Sequence, residues 1–92
     1  MLNIFTRNDG KMLKKCLDSM KEGDVVILTT ESLLLLSENS INLASAGIIS
    51  VLESHLKAYG MTDYADKFNL RVVTESDIVR YMVDIGSPLV WK

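Results

Sequence analysis

The stretch DVVILTT, Asp24 to Thr30, decides how this chain is read. A continuous β-branched run with no polar alternation is the pattern of a strand buried on both faces of a parallel sheet. The next residues, ESLLLLSE, hold four consecutive leucines and read as a short helix capped by Thr30 or Ser32. Upstream, LNIFT (Leu2 to Thr6) reads as a strand, and Asn8 or Asp9 is suited to cap the helix that follows. Met12, Leu13, Cys16, Leu17 and Met20 then form one apolar stripe, with Lys11, Lys14, Lys15, Asp18 and Lys21 opposite, and Gly23 is the expected stop.

Downstream, Asn39 to Gly47 is small and polar, a loop or a weak turn of helix. IISVLES (Ile48 to Ser54) reads as a third strand, HLKAYG as a short helix ending at Gly60, and MTDYADKFN as a connection anchored by Tyr64 and Phe68. LRVVT (Leu70 to Thr74) is a fourth strand. Thr74 and Asp77 resemble a capping box before the amphipathic helix carrying Ile78, Val79, Met82, Val83 and Ile85. Pro88 ends that helix region, and LVWK follows as an edge strand or tail. Strands and helices alternating through short loops predict a single domain over residues 1–92. Its class is α/β: a small three-layer α/β/α arrangement on a mostly parallel sheet of four to five strands.

Composition bounds the function. Of 92 residues, 48% are hydrophobic, and the mean hydropathy is positive. A domain this short buries only a little over ~60% of its unfolded surface. Some apolar surface is therefore expected to leave water by association with another subunit or with a second copy. The net charge is −2 and the longest basic cluster is Lys14-Lys15, so direct nucleic-acid binding is not expected. No N-terminal signal pattern and no membrane-length apolar run are present, which points to the cytoplasm.

The chain has one cysteine and one histidine. That excludes an intrachain disulfide, CxxC chemistry and a metal-ligand cluster. No GxGxxG or GxxxxGK[ST] pattern follows a strand, and no cofactor is indicated. The polar ends of the strands (Thr6 to Asn8, Thr29 to Glu31, Glu53 to His55 and Thr74 to Ser76) would form the rim where α/β domains bind ligands. Cap chemistry explains the same residues, and His55 reads as an exposed residue opening a helix. Cys16 shares its helix face with Met12 and Leu13 before it and Ser19 and Met20 after it, and lies beyond the first turn, where the helix dipole favours a thiolate most. Spacing therefore places it in the core. A pairing of Cys16 with His55 would have to join a helix's apolar stripe to a strand end.

Over nearly its whole length the chain resembles the DsrH/TusB family of sulfur-relay subunits. The resemblance is carried by the N-terminal strand, the helix leading into KEGDVVIL, the segment VLESHLKAYG, and LRVVTESDIVRYMVDIGSPLVW. Leu56, Lys57, Ala58 and Gly60, with the near-terminal Trp91, are its most specific parts. It implies a DsrE-type α/β/α domain that assembles with DsrE/TusD-like and DsrF/TusC-like subunits. It implies an accessory role in persulfide transfer, for tRNA wobble-uridine 2-thiolation or for sulfur oxidation. The well-supported active cysteine of such complexes belongs to the DsrE/TusD-like subunit. The DsrH branch has a cysteine in the first helix where Cys16 falls, and TusB-type members can lack it. Cys16 is thus a candidate persulfide carrier in the alternative reading of a stand-alone sulfurtransferase. A further alternative is a homo-oligomeric module that binds a small anion at the strand-end rim. Trp91 is a candidate interface anchor, or packs back on its own sheet.

Overall fold

The computed structural model describes residues 1–37 and 49–92. The sequence expectation for Asn39 to Gly47 lies outside them. Five strands, β1 (Leu2–Phe5), β2 (Val25–Leu28), β3 (Ile49–Leu52), β4 (Arg71–Val73) and β5 (Leu89–Trp91), form one sheet in the order β4-β3-β2-β1-β5. Every pairing is parallel. The α/β expectation holds, with LVWK as the edge strand. DVVIL is the central strand, and Val26, Ile27 and Leu28 are fully buried. Burying side chains of this size contributes about 1.5–3 kcal/mol each.

The strand order explains the layers. From β1 to β4 the strands step one place at a time in one direction across the sheet, and right-handed crossovers place the described helices between them on one face. That face holds α1 (Gly10–Asp18), a 3-10 helix (Thr30–Ser37), α2 (Glu53–Ala58) and α3 (Thr62–Lys67). Their core joins Phe5, Val26, Leu28, Ile49 and Val51 to Leu13, Cys16, Leu33, Leu56 and Ala65. From β4 the chain must return to the far edge of the sheet, so α4 (Glu75–Asp84) crosses the opposite face. It packs Ile78 against Leu2, Ile27, Leu52 and Val73.

Several boundaries differ from the sequence reading, each for a local reason. Asp9 is the N-cap of α1 and accepts from the Met12 amide at 3.1 Å, as expected. The helix stops at Asp18 rather than at Gly23, because Ser19 folds its hydroxyl onto the Cys16 carbonyl at 3.0 Å. Gly23 instead serves the turn into β2 at φ +87°. Glu53 and Ser54 belong to α2 and not to the third strand. MTDYADKFN contains a true helix, α3, from which Tyr64 and Phe68 pack against the core. Helices α2 and α3 end alike: Gly60 and Asn69 take φ of +65° and +53°. In each, the amide that follows reaches back to the carbonyl five residues earlier (Met61 to Leu56, Leu70 to Ala65). This is a Schellman ending, which needs a residue tolerant of the left-handed region. The glycine of LKAYG is thereby explained by helix termination. Among the described residues, no helix is long and apolar enough to cross a membrane.

Candidate functional site

Cys16 and Trp91 come together. Both line a cleft of about 370 Å³ between the end of α1 and the β5 edge, with Asn3, Ser19, Met20 and Leu89, and with Lys21 and Asp24 at its margin. The cleft arises because β5 is the edge strand beside β1, while α1 leads from β1 towards β2 on the other side. Trp91 packs back on its own sheet. Its ring stacks on Phe5 at 5.3 Å between centroids and 5° between planes, and its Nε1–H donates to Asn3 Oδ1 at 3.1 Å. The same residue also lines the cleft.

Cys16 is only 2% exposed. Burial pushes its thiol above the ordinary range, and the Asp24 carboxylate adds to the shift. A thiol held protonated in this way is a poor nucleophile, because sulfur attacks as thiolate. None of the lysines of α1 makes an ion pair with Asp24, whose Oδ1 meets the N-terminal ammonium at 2.6 Å. Its Oδ2 accepts from the Lys21 amide at 3.0 Å. These two donors hold the Asp24 carboxyl below its usual range. The charge that opposes thiolate formation therefore persists through neutral pH.

His55 lies elsewhere, at the carboxyl ends of the strands, and is not on the cleft. It is half-buried rather than exposed, and Nδ1 accepts from the Thr30 amide at 2.9 Å, so the neutral ring carries its proton on Nε2. Around it the strand-end rim is internally bonded. Thr29 Oγ1 donates to the Phe5 carbonyl at 2.7 Å. Thr30 Oγ1 lies 2.8 Å from the carbonyls of both Thr6 and Thr29. Ser32 Oγ accepts from the Thr29 amide at 2.9 Å and donates towards the Thr29 carbonyl at 2.6 Å. The His55–Thr30 bond had no signal in the sequence beyond the position of both residues at strand ends.

A second cleft, about 260 Å³, is bordered by Arg71, Asp77, Arg80 and Tyr81. Asp77 accepts from the Thr74 amide at 2.9 Å and lies in the field of both arginines, so this cleft carries its own counter-charge. Among the described residues there is no group of three His, Cys, Asp or Glu side chains that could hold a metal ion. No protein-family model and no curated protein matches the chain.

Proposed function

We propose that the chain is an accessory, non-catalytic subunit of a cytoplasmic sulfur-relay complex, acting in tRNA wobble-uridine 2-thiolation or in dissimilatory sulfur metabolism. The observation that carries the non-catalytic half is the buried Cys16 thiol, protonated by its surroundings and unaided by a base. The relay half rests on the sequence resemblance to the DsrH/TusB family, which also names the partners, DsrE/TusD-like and DsrF/TusC-like subunits. Co-expression with both, followed by size exclusion, tests it. Co-migration with them is the expected result, and elution apart from both counts against the reading.

One observation favours the alternative, a sulfurtransferase with persulfide on Cys16: although buried in the core, the residue also borders the cleft. Transfer of labelled sulfur to the purified protein, with Cys16→Ser as control, separates the two. Label that disappears in the variant would favour the carrier role. Absence of label in the parent leaves the accessory role standing.

A further inference from the structure

Two surfaces of this molecule are incomplete, and they complement each other. The outward face of α4 presents Val79, Met82 and Val83 at 59%, 39% and 81% exposure, spaced i, i+3, i+4 so that they form one stripe. On the opposite layer, the cleft beside β5 is walled by Met20, Trp91 and Leu89, the last 45% exposed. The polar side chains on that wall are already bonded inside the molecule. Asn3 Nδ2 donates to the Val25 carbonyl, Trp91 Nε1 to Asn3, and Ser19 to the Cys16 carbonyl. Such a wall suits an apolar occupant better than a small polar ligand.

Charge selects among apolar occupants. Helix α1 carries Lys11, Lys14 and Lys15 against one acid, Asp18. Lys11, Lys15 and Ser19 share one i, i+4 row, which runs along the helix to the cleft, and Lys21 stands at the cleft itself. Helix α4 carries Glu75, Asp77 and Asp84 against one base, Arg80. Arg80 is answered locally by Asp77, whose carboxyl it helps to hold low. Glu75 lies in the same i, i+4 row as Val79 and Val83, and Asp84 follows Val83. Asp24 also borders the cleft, but it is paired there with the N-terminal ammonium of Met1 at 2.6 Å. The exposed stripe is thus acid-flanked, and the uncompensated charges beside the cleft are lysines. A back-to-back pairing of two α4 faces would set one acid-flanked stripe against another.

We propose that this chain self-associates head to tail, the α4 stripe of one copy seating in the β5 cleft of the next. Such a contact is heterologous: an open assembly keeps one unused stripe at one end and one unused cleft at the other unless a ring closes. The lysine–acid flanks make the association weaken as salt rises. The inference stands apart from the sulfur-relay reading, because its test uses the purified chain alone.

The test is sedimentation velocity over a range of protein concentrations, at low and high salt, on the parent and two variants. Val83→Glu spoils the stripe and leaves the cleft. Lys15→Glu with Leu89→Glu spoils the cleft and leaves the stripe, and Lys15→Glu with Lys21→Glu replaces it if the change in β5 impairs folding by circular dichroism. The parent's mean mass is expected to rise with concentration, less so at high salt, and each variant alone to stay monomeric. An equimolar mixture of the two is expected to form a dimer and nothing larger, since only there do one good stripe and one good cleft meet. A parent that stays monomeric at every concentration overturns the proposal, including one that associates only when a different protein is added. So does either variant associating like the parent, or a mixture that remains monomeric.

Discussion

Thr30 holds a β-branched side chain at φ +49°, a region that costs an L-residue about 1–2 kcal/mol. The cost is tolerated because two donors hold the residue there: its amide to His55 Nδ1, and its one hydroxyl proton, shared between the Thr6 and Thr29 carbonyls. The bend turns the end of the central strand into the 3-10 helix while keeping Leu33 and Leu35 in the core. His55→Ala leaves the half-buried Thr30 amide without its acceptor and should cost about 1–3 kcal/mol. His55→Asn, which offers a carbonyl oxygen near the position of Nδ1, should recover part of that loss. Urea unfolding midpoints of the parent and the two variants check this, and a His55→Ala midpoint equal to the parent's would mean that the bond contributes nothing. The sequence placed both residues at strand ends but could not pair them. A contact between residues 25 positions apart depends on tertiary geometry, and a positive φ at threonine opposes local preference. Cys16 was legible for the opposite reason: three of its four neighbours at three and four residues, Met12, Leu13 and Met20, are apolar, and helical spacing puts it inside.

At the scale of elements, legibility follows how much of the signal is local. Helix α4 was readable because both ends of its capping box are sequence neighbours. Thr74 Oγ1 accepts from the Asp77 amide at 3.2 Å, and the Asp77 carboxylate accepts from the Thr74 amide at 2.9 Å. Helix α3 was missed because six residues carry too little periodicity, although Asn69 in its left-handed C-terminal position was the available cue. The early end of α1 was missed because a side chain, Ser19, terminates it four residues before the glycine. The capping box also predicts a pH response. The Thr74 amide, its side chain and the nearby Arg80 and Arg71 hold the Asp77 carboxyl below its usual range. A carboxyl lowered by folding contributes stability that is present above its ordinary pKa and is lost as pH falls through its folded value. Thr74→Ala should therefore cost about 0.5–2 kcal/mol at neutral pH. The gap between parent and variant should narrow in acid, as measured by thermal unfolding at pH 7 and below pH ~3.8, the region of an unperturbed aspartate. A gap independent of pH would assign the cap to the threonine hydroxyl alone.

Across the whole molecule, β5 is the place where the two ends of the chain meet. Among the described residues it pairs with β1 alone, registering Asn3, Ile4 and Phe5 against Leu89, Val90 and Trp91. It is reached only through α4, which spans the sheet from the β4 edge. A three-residue edge strand has few ladder bonds, so its docking depends on the Trp91 side chain: the stack on Phe5 and the bond to Asn3. Truncation of fully buried aromatics costs about 3–5 kcal/mol, and Trp91 is half-buried, so Trp91→Ala should cost about 2–3 kcal/mol. Against the total margin of a domain, about 5–15 kcal/mol, that is a large share. Urea unfolding followed by far-ultraviolet circular dichroism measures it. Trp91→Phe keeps the stack but leaves Asn3 Oδ1 without its donor, so its loss should be smaller and separates packing from hydrogen bonding. The parent offers a further check, because Trp91 is the only tryptophan and its fluorescence reports β5 directly. If β5 unfolds with the rest, as a single cooperative domain requires, fluorescence and circular dichroism transitions coincide. If the fluorescence change comes first, the β5 edge frays on its own, and the aromatic stack is too weak to join it to the cooperative unit.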